Sequence, residues 1–168
     1  MKRLTILTPL ALALGLLTAS GYSALAEDLA SSIVGLWKVT SFTHKDPATG
    51  QESHPYGEHP VGYLLYTRGG HTTYVLFGEN RKAPAGLVPT DAERAELFKS
   101  LIAYSGTYKV EGNTVVSHLD GSWVQSWTGT DRKPQVEASG NKLTITAQLQ
   151  SPNTGQNIVN VVTFERVE

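Results

Sequence analysis

The chain has 168 residues, no Cys, one Met, and 14 Lys and Arg against 15 Asp and Glu. That length suits one domain, and a formal charge of −1 gives no basic surplus of the kind a nucleic-acid binder carries. The absence of Cys rules out a disulfide framework, a cysteine zinc site and a thiol nucleophile.

Residues 1–26 read as an export address, not as part of the fold. Lys2 and Arg3 precede an apolar run from Leu4 to Leu17, and Ala24-Leu25-Ala26 offers a small-x-small cleavage site before Glu27. Thr18, Ser20, Gly21 and Ser23 interrupt the apolar stretch before it reaches the ~20 residues of a membrane span. Cleavage after Ala26 leaves a 142-residue domain over 27–168, with 12 basic and 15 acidic residues and a formal charge of −3. The expected location is periplasmic or secreted, with no membrane span after cleavage.

Beyond the leader, short runs of Val, Thr, Tyr, Ile and Phe alternate with Gly, Pro, Asn and Asp. Strands are predicted at 36–43, 61–67, 71–77, 106–110, 114–120, 123–128, 135–138, 143–148 and 158–166. Arg68-Gly69-Gly70, Glu111-Gly112-Asn113 and Ser139-Gly140-Asn141 mark tight turns. Eight or nine antiparallel strands with short turns point to an all-β, up-and-down barrel, which leaves no bare sheet edge. One segment has helical period. Thr90-Asp91-Ala92-Glu93 forms a capping box, and Leu97, Phe98, Leu101 and Ile102 form an apolar stripe on one helix of about fifteen residues. Such a helix is expected to plug an end of the barrel or cover a wall.

Lys is rarely buried, so each one marks an outer face. Lys38 outside turns Trp37, Val39 and Ser41 inward; Lys109 turns Tyr108 and Val110 inward; Lys142 turns Leu143, Ile145 and Ala147 inward. A lining of Tyr63, Tyr108, His118, Trp123, Gln125 and Trp127 is predicted. It would be apolar with a few polar tips, as small-molecule pockets are. A packed aromatic core is the alternative. His118, within a strand and two residues from Asp120, is the candidate acid/base group. His54 and His59 flank Glu58 in a Pro-rich loop without a metal-site spacing, and His44 and His71 adjoin turns and are expected in solvent. Neither a metal nor a cofactor is expected. No Gly-x-Ser-x-Gly elbow, phosphate loop or dinucleotide fingerprint occurs.

Gly35-Leu36-Trp37 and Arg166 resemble the Gly-x-Trp and C-terminal Arg of the lipocalin superfamily. The closer resemblance is to the bacterial and fungal lipocalin-like domain family. It rests on Gly35-Leu36-Trp37, the run from Pro55-Tyr56-Gly57-Glu58-His59-Pro60 to Thr67, Tyr104-Ser105-Gly106-Thr107-Tyr108, His118, and Trp127-Thr128-Gly129-Thr130-Asp131. It implies a small calycin-type barrel holding one apolar or aromatic molecule, with Trp37 and Arg166 structural. The basic pairs Arg81-Lys82 and Arg132-Lys133 read most simply as solvated turn charges, with Arg132 the candidate to meet an acidic group of the ligand. Two features depart from ordinary lipocalins: the helix lies between the third and fourth strands, and the second signature survives only as Thr130-Asp131. Three functions stay open: binding a small hydrophobic or aromatic ligand, a cofactor-free isomerase or cyclase using His118, and a filled structural barrel. The oligomeric state is not legible.

Overall fold

The computed structural model describes residues 29–168. The leader over 1–26 and its cleavage site lie outside the described residues. Among those described, no helix is long and apolar enough to cross a membrane.

Ten antiparallel strands follow in chain order. They are β1 (Gly35–Lys45), β2 (Glu52–Ser53), β3 (Val61–Tyr66), β4 (His71–Phe77), β5 (Leu101–Glu111), β6 (Thr114–Ser122), β7 (Asp131–Arg132), β8 (Gln135–Ser139), β9 (Lys142–Gln150) and β10 (Asn157–Arg166). The ladder β1–β3–β4–β5–β6–β8–β9–β10 returns to β1 and closes an eight-stranded barrel. β2 pairs with the last residues of β1, and β7 continues the line of β8 along β6. Closure leaves no strand of the ladder without a neighbour on either side, so the sheet has no free edge strand.

The two ends of the barrel differ. Tight turns at 67–70, 112–113 and 140–141 close one end. Trp37 seals it, fully buried, its indole N–H donating to the Ile33 carbonyl over 2.7 Å. The guanidinium carbon of Arg166 lies 4.1 Å from the centroid of the Trp37 ring. The longer connections over 46–60, 78–100, 123–130 and 151–156 gather at the other end.

Three expectations change. The helix α1 spans only Asp91–Lys99 and buries no residue, although its Thr90–Glu93 capping box is present. Leu101 and Ile102 belong to β5, where Ile102 is buried; β-branched Ile and the following Tyr favour a half-buried strand over another helical turn. The segment 123–128 is not a strand. It folds as a short 3₁₀ turn, Gln125–Trp127, after β6 ends. Finally, β1 carries a bulge between Val39 and Ser41. The extra residue advances the alternation, so Phe42 points inward in place of Ser41.

Candidate functional site

The inward faces of β1, β4, β5, β9 and β10 surround a cavity of about 100 Å³ at the end of the long connections. Its wall is mostly aromatic. Phe42 meets Tyr56 edge-on at 4.7 Å, and Tyr74 packs against Tyr104 at 5.4 Å and Phe164 at 5.9 Å between ring centroids. Trp123 and Trp127 form the outer part of the wall, 5.8 Å apart and nearly perpendicular. The Trp123 indole N–H donates to the Phe98 carbonyl over 2.8 Å, and its ring lies 5.2 Å from that of Phe98. Through this contact the last turn of the exposed helix α1 props one Trp of the cavity wall, and Asn153 of the same wall donates to the Lys99 carbonyl.

The bulge in β1 also decides which histidine reaches the cavity. With the alternation advanced, His44 lines the cavity beside Phe42, at 5.3 Å between rings, contrary to its expected place in solvent. Burial lowers its pKa, which keeps the imidazole neutral at neutral pH. Opposite His44 on β10 stands Asn160. The Asn160 side-chain oxygen and the Tyr74 hydroxyl are buried without a hydrogen-bond partner among the described residues. Burial pushes the Tyr74 hydroxyl well above the usual tyrosine range. Tyr104 is raised by burial to about 12, against the opposing pull of the Arg132 cation.

The loop block Pro55–Pro60 has a definite task. Gly57 takes a φ of +84°, a conformation that side chains resist. The Glu79 carboxylate accepts from the backbone N–H groups of Glu58 (2.9 Å) and His59 (3.2 Å), and Glu79 N–H donates to the Tyr56 carbonyl over 2.8 Å. This clasp delivers Tyr56, buried, into the cavity wall. Burial raises Tyr56 to about 12, partly offset by its hydrogen bond with Asn153. His54 sits at the outer edge of the block, 3.8 Å from Glu58.

The predicted site residues separate. Trp123, Trp127 and Arg132 are brought together on the cavity wall. Tyr108 points inward but lies at the sealed end, packed on Tyr66 at 4.7 Å and donating to the Thr67 carbonyl. Gln125 is exposed in the 3₁₀ turn. Tyr63 points outward and is 41% exposed, because Leu64 and Tyr66 hold the inner face of β3. His118 also faces outward, since Ser117 and Leu119 are its buried neighbours. Its Nδ1 meets Asp131, not Asp120, at 2.9 Å on the outer surface. From there His118 cannot act as an acid or base on a molecule inside the barrel.

Register also settles the basic pair at 132–133. Asp131 pairs with His118 and Arg132 with Ser117. Residues opposite each other share a face, so Arg132 turns inward with buried Ser117 and Lys133 turns out. The Arg132 guanidinium carbon lies 4.0 Å from the centroid of the Trp127 ring.

A sealed end built on Trp37 and Arg166, a closed eight-strand barrel and an open end with an aromatic cavity are together the plan of a lipocalin. Residues 34–167 match the family described as lipocalin-like domain. The chain belongs to that family. No curated protein matches the chain. A lipocalin-like barrel is suited in general to holding a small molecule. The residues that shape this cavity and escaped the sequence reading are Phe42, His44, Tyr56, Tyr74, Tyr104 and Asn160. Tyr56 and Tyr104 did lie inside the motifs shared with the family, which was the available signal.

Proposed function

We propose that this lipocalin-like protein binds one small aromatic molecule that carries a hydrogen-bonding group. One observation carries this reading. Two residues of the aromatic cavity wall, Tyr74 and Asn160, carry buried polar atoms, a hydroxyl and a side-chain oxygen, that find no partner among the described residues. Buried polar groups are ordinarily paired, and leaving one unpaired costs about 1–3 kcal/mol. A ligand group that accepts from Tyr74 or donates to Asn160 recovers that cost. The enclosed volume of about 100 Å³ is below the roughly 150 Å³ cavity that admits benzene. A bound ring therefore extends outward past the enclosed volume, against the Trp123–Trp127 pair at the outer part of the wall. The reading includes export, on the strength of the leader over residues 1–26.

The test is binding of a set of phenols and aromatic ketones, followed by tryptophan fluorescence and by calorimetry. Trp123 and Trp127 line the cavity while Trp37 lies at the sealed end. Binding should quench or shift the emission, and Trp37→Phe should keep that response. If neither method detects any member of the set, the binding reading fails and a filled structural barrel takes its place.

A further inference from the structure

The barrel wall is interrupted beside the cavity. β7 and β8 run along β6 in one register, but the ladder breaks at Pro134, whose carbonyl accepts from Val115 N–H and which has no N–H to return the bond. On the other side, pairing between β8 and β9 starts at Gln135 and Thr146 and does not extend to residues 131–134. The end of β9 thus faces segment 131–134 without a ladder. An outer groove of about 490 Å³ lies there, lined by residues 131–135 and 146–149. Arg132, Pro134, Ala147 and Leu149 line both this groove and the inner cavity.

Arg132 therefore stands in a gap between inside and outside. It is half-buried, and no carboxylate lies within ion-pair distance of it among the described residues; Asp131, its neighbour, is engaged by His118. Among the described residues, the cavity lining contains no Asp or Glu, and burial favours neutral His44, so Arg132 supplies the only full charge in that wall. The Trp127 ring beneath it holds the guanidinium in place by a cation–π contact. A planar fork of donors, fixed on an indole and lacking a counter-ion, matches a carboxylate.

On the reading that the cavity takes an aromatic ring, we infer that the ligand is an aromatic acid, its ring against Trp127 and Tyr104 and its carboxylate held by Arg132 in the gap of the wall. Tyr104, which interacts electrostatically with Arg132, is placed to donate its hydroxyl to the same anion. The carboxylate restores to Arg132 the partner that the fold withholds, and the gap gives a charged group a route that avoids the apolar interior.

Calorimetry with shape-matched acid and amide pairs tests this: phenylacetate against phenylacetamide, and 1-naphthylacetate against 1-naphthylacetamide. At least one acid should bind tenfold or more tightly than its amide, since hydrogen bonds to charged groups are worth about that factor or more. Arg132→Met keeps the apolar stem and should erase the preference while leaving amide affinity within about twofold. Arg132→Lys should recover part of it. An unchanged thermal midpoint and near-ultraviolet spectrum show that the variants are folded. Equal affinity for acid and amide, or a preference that survives Arg132→Met, overturns the anion-binding inference and leaves ring binding standing. Failure of all four probes, together with failure of the phenols and ketones, overturns both.

Discussion

The guanidinium of Arg166 lies over the Trp37 ring at 4.1 Å while donating to the carbonyls of Val34 (2.9 Å) and Ser32. One side chain thus covers the indole at the base of the barrel, ties β10 to the segment entering β1, and satisfies two carbonyls of that segment. Removing either partner should loosen the sealed end without touching the cavity at the other.

Trp37→Ala should cost ~3–5 kcal/mol, the usual range for removing a fully buried large aromatic side chain. Arg166→Met should cost about 1–3 kcal/mol, because it leaves carbonyl groups unpaired. The two losses should not add, since they break one shared contact. Urea denaturation of the two single variants and the double variant measures this. Full additivity would mean that the stacked pair contributes nothing as a pair.

Gly106 sets a second structural limit. It sits in β5 at a register shift against β6, and a Cβ there would collide with the His118 carbonyl. Gly106→Ala should therefore push β5 and β6 apart and destabilise the barrel by about 1–3 kcal/mol, the usual cost of overpacking. Hydrogen exchange should show the loss of protection concentrated in β5 and β6. A variant as stable as the wild type would show that this close approach is not needed.

Much of this architecture was legible in the sequence. Lys38, Lys109 and Lys142 fixed the outer faces of three strands, and Gly-rich turns bounded the hairpins at the sealed end. Legibility stopped where alternation slips or has no anchor. The bulge in β1 moved Phe42 and His44 to the cavity, and no composition signal marks it. Tyr63-Leu64-Leu65-Tyr66 puts one Tyr and one Leu on each face, so the pattern cannot choose between them. In β6 both Val115 and Val116 are buried, which hides the face of His118. The two Trp of 123–128 read as a strand's inner face, yet they reach the cavity from an irregular turn beyond the strand.

His44 predicts a pH dependence of stability. Its folded pKa is lowered by burial from 6.5. An unfolded chain therefore binds a proton more readily than the folded one in the window below 6.5. Stability from this residue is complete above that pH and falls as pH drops through the window toward the lowered folded value. The lowered carboxylates Glu93 and Glu111 start from 4.5, so they lose their contribution only in more acidic solution. Urea midpoints at pH 7.5 and 5.5 should fall with acidity in the wild type and fall less in His44→Gln. An identical slope in both proteins would assign the dependence elsewhere.

Tyr74 distinguishes a binding cavity from a merely imperfect core. Its ring packs against those of Tyr104 and Phe164, while its hydroxyl has no partner among the described residues. Tyr74→Phe keeps the ring and removes the orphan. In the free protein this should be neutral or raise stability by up to about 1 kcal/mol, because an unpaired buried hydroxyl is a cost and not a contact. A ligand that accepts from that hydroxyl should bind roughly three- to tenfold more weakly to the variant, the value of one ordinary hydrogen bond. Opposite signs for stability and affinity are the signature of a polar group kept unpaired for a ligand. Thermal melts of the free proteins and calorimetry with any phenol or ketone that binds the wild type supply both numbers. If Tyr74→Phe is markedly less stable, the hydroxyl is already serving the fold, and the cavity loses the observation on which its ligand chemistry rests.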